Sequence, residues 1–195
     1  MNQELSRFLS YMSNMLKNLD NQGLKSIVNN YDLFFIDLWG VVHNGIKLYD
    51  HSIEVLEKLK MAKKEFVLLT NAPRPNDPVV KFLKTLGMND YFENVFTSGE
   101  AALKYLIKEH RNQKFFHIGS IRDYDLFEKF KYNKTSKIEE ANYILCTGLL
   151  EMHDRKSYLK VNLDFYNNLL ANHVSKKMIC TNPDLIVDKG NTREY

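Results

Sequence analysis

The chain has 195 residues, of which 44% are hydrophobic and 26% are charged. This length suits one large domain or a core with a modest insertion, and the composition excludes disordered, collagen-like and coiled-coil proteins. The 27 Lys and Arg residues against 24 Asp and Glu residues leave a net charge of +3, which is too small to indicate nucleic acid or an anionic membrane as a partner. Cys146 and Cys180 fit no metal-binding spacing and are too few for a disulfide scaffold, so we expect a reducing, cytoplasmic location.

The N-terminal segment, residues 1–29, is predicted to be helical. Apolar residues recur there at the three- to four-residue spacing of an amphipathic helix. They are Leu5, Phe8, Leu9, Met12, Met15, Leu16 and Leu19. We expect this helix to pack on the core, and a partner-binding role, such as a contact in a homodimer, is the less favoured alternative. No segment is long and apolar enough for a membrane span, and Glu4 and Arg7 lie where a signal peptide needs an apolar core.

Residues 30–109 alternate between strand-like and helix-like patterns. Leu33–Ile36 is a short apolar run typical of a strand that is buried on both faces of a parallel sheet. A helix capped by Ser52 follows, and Phe66–Leu69 has the character of a second buried strand. A helix over 77–86, a strand over 95–97 and a helix over 99–109 continue the series. This alternation predicts an α/β fold built on a doubly wound, Rossmann-like parallel sheet.

The pattern starts afresh near residue 110, where we place a domain boundary. Strands are predicted over 115–119, 143–146 and 177–180, and helices over 124–130 and 157–170. These elements make a second α/β segment. The alternative is that they continue the first sheet, because the linker at Arg111–Gln113 is a weak boundary signal.

Polar residues follow the first two predicted strands, at the edge of a parallel sheet where ligands bind. Asp37 comes directly after the first apolar run, which places a carboxylate where a nucleophile or a metal ligand is needed. Gly40 and Gly45 allow the next turn to approach a ligand closely. Thr70 and Asn71 follow the second strand and offer a hydroxyl and an amide that can hold a phosphate without repelling a carboxylate. Each motif alone is ordinary turn chemistry, but two motifs at adjacent strand ends predict one site.

The residues at these strand ends belong to two longer motifs. The first is Asp37–Gly45, with the sequence DLWGVVHNG, and the second is Leu68–Asn71, with the sequence LLTN. Val95–Ala101 and Thr181–Asp184 add matches in the same order. With these motifs the chain resembles the haloacid dehalogenase-like hydrolase superfamily, and within it the NagD-like (class IIA) subfamily of nucleotide and sugar phosphatases. The resemblance extends over residues 32–195.

The resemblance implies a Mg²⁺-dependent phosphomonoester hydrolase that acts on a small phosphorylated metabolite. Asp37 is expected to attack phosphorus and form an aspartyl-phosphate, which water then hydrolyses. Thr70, Asn71 and Gly40 are expected to bind the phosphate. Asp37 and the backbone carbonyl of Trp39 are expected to bind Mg²⁺, which offsets the repulsion between the carboxylate and the phosphate.

Within this family, residues 30–109 correspond to the N-terminal part of the catalytic core, and residues 110–195 to an α/β cap domain inserted after the second motif. The family completes its site with a Lys after the cap and with a Gly-Asp strand end that is followed by a second Asp. Neither element is found in the chain. Asp188 and Lys189 follow the Asn-Pro-Asp motif too closely and match cap residues instead. We therefore expect a C-terminally shortened chain.

Trp39 stands where the family has a second Asp that serves as general acid and then as general base. An indole N–H donates hydrogen bonds but does not transfer a proton, and losing such a group costs about 10²–10⁴ in rate. His43 could replace it, although a solvated turn histidine without a catalytic role is the favoured interpretation. We therefore expect impaired activity.

Two other functions are kept as alternatives. The first is a non-catalytic binding or interaction domain derived from this fold, which Trp39 and the missing C-terminal motifs favour. The second is a metal-independent, dehalogenase-like hydrolase in which Asp37 attacks carbon. A dinucleotide-binding domain is excluded because Gly-x-Gly-x-x-Gly does not follow the first strand. A histidine metal site is not expected because the histidines are scattered.

Overall fold

The computed structural model describes residues 22–88, 94–148, 163–184 and 187–194. The predicted N-terminal helix at residues 3–19 lies outside the described residues, and so do residues 157–162 of the last predicted helix. No helix in the described ranges is long and apolar enough to cross a membrane.

The chain divides into two compact units, residues 1–34 and residues 35–195. In the described part of the first unit, two single-turn 3₁₀ helices occupy Leu24–Ser26 and Val28–Asn30. The rings of Tyr31 and Phe34 follow them and meet edge to face. Nearly all residues of the two larger β-sheets lie in the second unit.

Three strands form the first sheet: β1 (Leu33–Asp37), β2 (Glu65–Thr70) and β3 (Val95–Thr97), in the order β1-β2-β3. β2 runs parallel to β3, and Thr70 lies beside Thr97 in the register. The two strands therefore end at the same edge of the sheet, and the residues that leave them are neighbours. The α/β alternation predicted from the sequence is confirmed here.

Two helices, α1 (Asp50–Met61) and α2 (Asn76–Thr85), pack on this sheet. Leu56 of α1 and Leu83 of α2 join Leu68 of β2 in one buried apolar cluster. Burying one such side chain contributes about 1.5–3 kcal/mol. The cluster therefore fixes the strands whose ends carry the candidate site.

β1 differs from the predicted strand that is buried on both faces. Leu33 is 43% exposed and Phe35 is 66% exposed. β1 lies at the edge of the three-stranded sheet, and its side chains alternate between half-buried and exposed positions. The prediction of burial on both faces is therefore wrong for the described structure, although the strand itself is where it was expected.

Four further strands form a second sheet: β4 (Phe115–Ile118), β5 (Lys134–Thr135), β6 (Tyr143–Cys146) and β7 (Lys177–Cys180), in the order β5-β4-β6-β7. All of its pairs are parallel. The alternative that these strands continue the first sheet is wrong, because each described strand pairs only within its own sheet.

The second sheet is covered on both faces. On one face, Tyr143 and Leu145 of β6 share a cluster with Leu106 of helix α3 (Ser98–Glu109). On the other face, the intervening Ile144 belongs to a cluster against which helix α4 (Leu163–Ala171) packs. Successive side chains of β6 point to opposite faces of the sheet, so Ile144 and its two neighbours belong to different apolar clusters. α3 leaves the end of β3 and covers the second sheet, so it connects the two sheets.

The α-helix predicted over residues 124–130 is wrong. Two 3₁₀ segments, Ile121–Leu126 and Glu128–Asn133, occupy this region. Tyr124, Phe127 and Phe130 are spaced by three residues, and a 3₁₀ helix, with three residues per turn, brings such positions into one row. The rings of Phe127 and Phe130 accordingly meet Phe115, at centroid distances of 5.1 and 5.8 Å.

Two other local features differ from the prediction. Helix α1 begins at Asp50 after Tyr49, so Ser52 is not its N-cap; the Ser52 hydroxyl instead donates to the carbonyl of Val41 at 2.6 Å. Strands β8 (Val187–Lys189) and β9 (Thr192–Glu194) form an antiparallel hairpin that the sequence patterns did not predict.

Candidate functional site

Asp37 is the last residue of β1, and its carboxylate is exposed at the end of the strand. Its Oδ1 accepts a hydrogen bond of 2.8 Å from the backbone N–H of Leu38. The loop that follows closes on itself, because the N–H of Gly40 donates to the carbonyl of His43 at 2.8 Å. Gly40 makes this turn with a φ of 78°, a conformation that other residues adopt at a cost.

His43 lies inside this loop and is only 3% exposed. Its ring sits between those of Trp39 and Phe82, at centroid distances of 5.1 and 5.6 Å. Nδ1 accepts a hydrogen bond of 3.0 Å from the N–H of Gly45. Burial lowers the pKa of His43, and the nearby Asp37 carboxylate only partly opposes the effect. A neutral imidazole that accepts the Gly45 N–H supports the loop. The solvated position expected for this turn histidine is wrong, because its ring packs between Trp39 and Phe82.

The end of β2 supplies the second set of polar groups. The Thr70 hydroxyl accepts a hydrogen bond of 3.2 Å from the N–H of Ala72, which shapes the turn after the strand. Asn71 is exposed, and its side-chain N–H₂ donates to the carboxylate of Asp184. The two side chains therefore lie beside each other at the carboxyl edge of the first sheet.

These strand ends line one open cleft of about 490 Å³. Its walls are formed by Asp37, Leu69, Thr70, Asn71, Phe96, Thr97, Ser98 and Ala101. The structure thus brings together three of the residues singled out from the sequence, Asp37, Thr70 and Asn71. Trp39 and Gly40 are not among the lining residues, and the N–H of Gly40 is already bonded within its loop.

The N-terminus of α3 was not among the predicted site residues. Thr97 is its N-cap, and the Thr97 hydroxyl accepts a hydrogen bond of 2.8 Å from the N–H of Glu100. The first helical residue, Ser98, places its hydroxyl at the cleft. The spacing Thr-x-x-Glu after a strand is the signature of a capped helix. This spacing is the sequence signal that could have identified Thr97 and Ser98 as part of the cleft wall.

The turn after β2 is docked on this helix end. The N–H of Gly99 donates to the carbonyl of Ala72 at 3.0 Å, and the Thr97 hydroxyl donates to the carbonyl of Arg74 at 2.6 Å. A Cβ atom on Gly99 would stand 2.4–2.5 Å from the backbone atoms of Arg74. Only a glycine at position 99 permits this approach, so the position of Thr70 and Asn71 depends on it.

The carboxyl edge of the second sheet faces the same cleft. Ser98 donates its hydroxyl hydrogen to the carbonyl of Thr181, which follows β7. Asp184, three residues further on, accepts from Asn71. Arg74 pairs with Asp125, in the 3₁₀ segment that follows β4. Three side-chain contacts therefore join the two strand edges around the cleft.

A buried polar network stabilises this second edge. His117 Nε2 lies 2.9 Å from the hydroxyl of Thr147, and that hydroxyl donates to the carboxylate of Asp123 at 3.0 Å. Burial, reinforced by Lys134, lowers the pKa of His117 to about 4. His117 is therefore neutral near pH 7, and its role is to hold the loops after β4 and β6 together.

Metal-binding capacity is confined to a few oxygen atoms. In the described ranges, no group of three or more His, Cys, Asp and Glu side chains could hold a metal ion. Asp37 is the carboxylate among the residues that line the cleft.

The family is decided by the match of a family model. The model for haloacid dehalogenase-like hydrolases matches residues 34–133, which include Asp37, Thr70 and Asn71. The chain belongs to the haloacid dehalogenase-like hydrolases. Among solved structures, a haloacid dehalogenase-like hydrolase from Brucella suis 1330 has a TM-score of 0.73 at 29% identity, covering 88% of this chain and 61% of that one. The resemblance to the haloacid dehalogenase-like hydrolase superfamily that was inferred from the sequence motifs is thereby confirmed.

Other proteins match this chain at lower identity. Phosphoglycolate phosphatase 1A of Arabidopsis thaliana, a chloroplastic protein, is 27% identical over 164 residues, which are 80% of this chain and 45% of the relative. The chain thus spans less than half the length of that protein. A 4-nitrophenylphosphatase from Thermotoga maritima has a TM-score of 0.60 at 24% identity, covering 85% of this chain and 62% of that one.

A solved structure of a glycerol phosphate phosphatase from Mycobacterium tuberculosis in complex with magnesium has a TM-score of 0.60 at 20% identity. It covers 86% of this chain and 48% of that one. At this identity, as for the Thermotoga protein, the similarity shows the fold alone.

The close packing at Gly99 leads to a first prediction. Gly99→Ala is expected to lower the free energy of unfolding by about 1–3 kcal/mol, because the added methyl group collides with rigid backbone rather than with a flexible side chain. Urea unfolding measures the loss. Gly148→Ala is the matched control, since no heavy atom lies within 4 Å of a Cβ atom there. Equal stabilities of the two variants would contradict the packing described at Gly99.

Proposed function

We propose that the chain carries the nucleophile and the phosphate-binding half of a phosphatase that acts on small phosphorylated metabolites. The observation that supports the proposal is the shared cleft, which Asp37, Thr70 and Asn71 line together. The family membership supports the same chemistry. Because the chain spans only part of its relatives, the activity of the whole protein is part of the proposal.

In the proposed first step, a carboxylate oxygen of Asp37 attacks phosphorus. A phosphorus–oxygen bond to Asp37 forms while the bond to the leaving alcohol breaks, and the alcohol departs with the bonding electron pair and takes up a proton. Water then attacks the aspartyl-phosphate and releases inorganic phosphate and free Asp37. The N–H of Leu38 orients the carboxylate by its hydrogen bond to Oδ1.

Thr70 and Asn71 are proposed to hold the phosphoryl oxygens. Both are neutral donors, so they bind the phosphate without a charge that would draw Asp37 into an ion pair. The N–H of Gly40 is bonded to His43, so we assign Gly40 the turn that brings Asp37 and Trp39 into one loop rather than a direct hydrogen bond to phosphate.

Mg²⁺ is proposed as the cofactor, with Asp37 and the backbone carbonyl of Trp39 as its protein ligands. Mg²⁺ is usually bound through one or two carboxylates together with phosphate oxygens and water. The oxygen donors at the end of β1 fit such a partial set, and they do not make a cage of protein ligands. When bound, Mg²⁺ supplies positive charge that offsets the repulsion between Asp37 and a phosphate dianion.

The second sheet is proposed to belong to a cap domain, residues 110–195. This cap closes over the catalytic core, whose N-terminal part is formed by residues 30–109. The support is the set of contacts that Thr181, Asp184 and Asp125 make around the cleft. A cap in this position excludes water from the reaction and selects the substrate. The cytoplasmic location and the homodimer remain predictions from the sequence.

Removal of the proposed nucleophile is the direct kinetic test. Asp37→Asn is expected to reduce Mg²⁺-dependent hydrolysis of 4-nitrophenyl phosphate by about 10³-fold or more, because an amide does not form the acyl phosphate. Asp164→Asn, at an exposed position on α4, is the matched control and should retain full activity.

The same assay separates the alternatives. Turnover that needs Mg²⁺ and Asp37 would exclude a non-catalytic binding domain. Turnover of 4-nitrophenyl phosphate that survives Asp37→Asn would contradict the assigned nucleophile. Release of halide from a haloacid without Mg²⁺ would favour the dehalogenase-like alternative.

Trp39 provides a second kinetic prediction. Trp39→Asp introduces the carboxylate that can protonate the leaving group and then activate water, so turnover is expected to rise by about 10²-fold. Trp39→Phe is the control for loss of the indole, because it keeps an aromatic ring against His43 without adding a proton donor. If both variants turned over at the same rate, the missing general acid would not be what limits the reaction.

A further inference from the structure

The carboxylate of Asp184 accepts a hydrogen bond from the side-chain amide of Asn71. Asn71 lines the cleft and is one of the two side chains proposed to hold phosphate. The contact joins residues 113 positions apart in the chain. A carboxylate oxygen therefore already occupies one of the two N–H donors that the Asn71 amide could offer to phosphate.

The loop that carries Asp184 is well anchored. Thr181 is 1% exposed, and its N–H and its hydroxyl both donate to the carbonyl of Cys146, at 2.9 and 3.4 Å. The N–H of Asp184 donates to the side-chain oxygen of Asn182 at 3.0 Å. The Ser98 hydroxyl adds a hydrogen bond to the Thr181 carbonyl from the opposite side of the cleft. Asp184 is thus presented to Asn71 by a fixed turn and not by a chance side-chain position.

We propose that Asp184 is an internal competitor for the phosphate site: its carboxylate binds one N–H of the Asn71 amide when the cleft is empty and must leave before a phosphate oxygen binds that N–H. Two effects act in the same direction. The amide has to exchange one acceptor for another, and the negative charge of Asp184 repels the incoming dianion. Asp184 therefore weakens the binding of every phosphate ligand by a similar factor, and tight binding requires further contacts outside the phosphate group.

The size of the effect follows from the occupancy of the contact. If Asp184 holds the amide in about 90% of ligand-free molecules, the apparent affinity for phosphate is about tenfold weaker than the intrinsic one. Both residues are exposed, so the charge repulsion is reduced by salt. This inference rests on the proposed function in one respect, the assignment of Asn71 as a phosphate donor.

The test is a titration of the protein with inorganic phosphate, followed through the side-chain amide signal of Asn71 in nitrogen–proton NMR spectra. The signal is assigned by its loss in Asn71→Ala. Asp184→Ala is expected to shift this signal before any phosphate is added and to lower the Kd for phosphate about tenfold. Asp184→Asn keeps an acceptor oxygen but removes the charge, so a smaller decrease in Kd is expected, together with a weaker dependence of Kd on salt.

Asp164→Asn is the matched control, because Asp164 is an exposed carboxylate on α4 and is not among the residues that line the cleft. It should leave the Kd for phosphate unchanged. A lower Kd for phosphate in both Asp184 variants, together with an unchanged Kd in this control, supports the inference. The same Kd in all four proteins, with a phosphate-dependent shift of Asn71 in each, would overturn the competition and leave the phosphate site intact. Weaker binding in the Asp184 variants would also overturn it. No response of Asn71 to phosphate in any protein would remove the proposed phosphate donor itself.

Discussion

The rest of the site depends on two hydrogen bonds made by the hydroxyl of Thr97. This hydroxyl accepts the N–H of Glu100 and donates to the carbonyl of Arg74, so one buried oxygen caps helix α3 and fixes the turn after β2. The backbone N–H of Thr97 donates to Asn76 Oδ1, which adds the start of helix α2 to the same junction. Because an unsatisfied buried hydroxyl or carbonyl costs about 1–3 kcal/mol, these groups are held in one arrangement. This junction brings the ends of β2 and β3 and the start of α3 together at the cleft.

Charge determines what such a cleft can do. Asp37 brings a negative charge to the end of β1, and the neutral donors Thr70 and Asn71 stand opposite it. This combination suits a phosphate that is attacked by the carboxylate once a cation offsets their repulsion. Trp39 lowers the expected rate of turnover but leaves the rest of the site unaltered, because the proposed nucleophile and phosphate donors do not depend on it. Without a general base beside Asp37, hydrolysis of the aspartyl-phosphate is slowed together with its formation.

The local part of this account could be predicted from the sequence, and the long-range part could not. β2 and β3 follow from short apolar runs, and Asp37 and Asn71 follow from the rule that ligands bind where parallel strands end. The 3₁₀ segments around Phe127 were missed because a spacing of three residues was taken for a helical period. The contact between Asn71 and Asp184 depends on how two separate sheets pack, for which neither sequence segment holds a periodic signal. The role of Gly99 could not be predicted either, because it depends on the backbone of Arg74 lying against this residue.

The central claim is that Asp37 forms a covalent bond to phosphorus. The most direct measurement is to incubate the protein with 4-nitrophenyl phosphate and Mg²⁺, quench in acid, and search the proteolytic peptides by mass spectrometry. The account predicts one phosphoryl group on the peptide that contains Asp37, and no such group in Asp37→Asn. Release of 4-nitrophenol with no phosphoryl group on that peptide, or with the group on another residue, would contradict it.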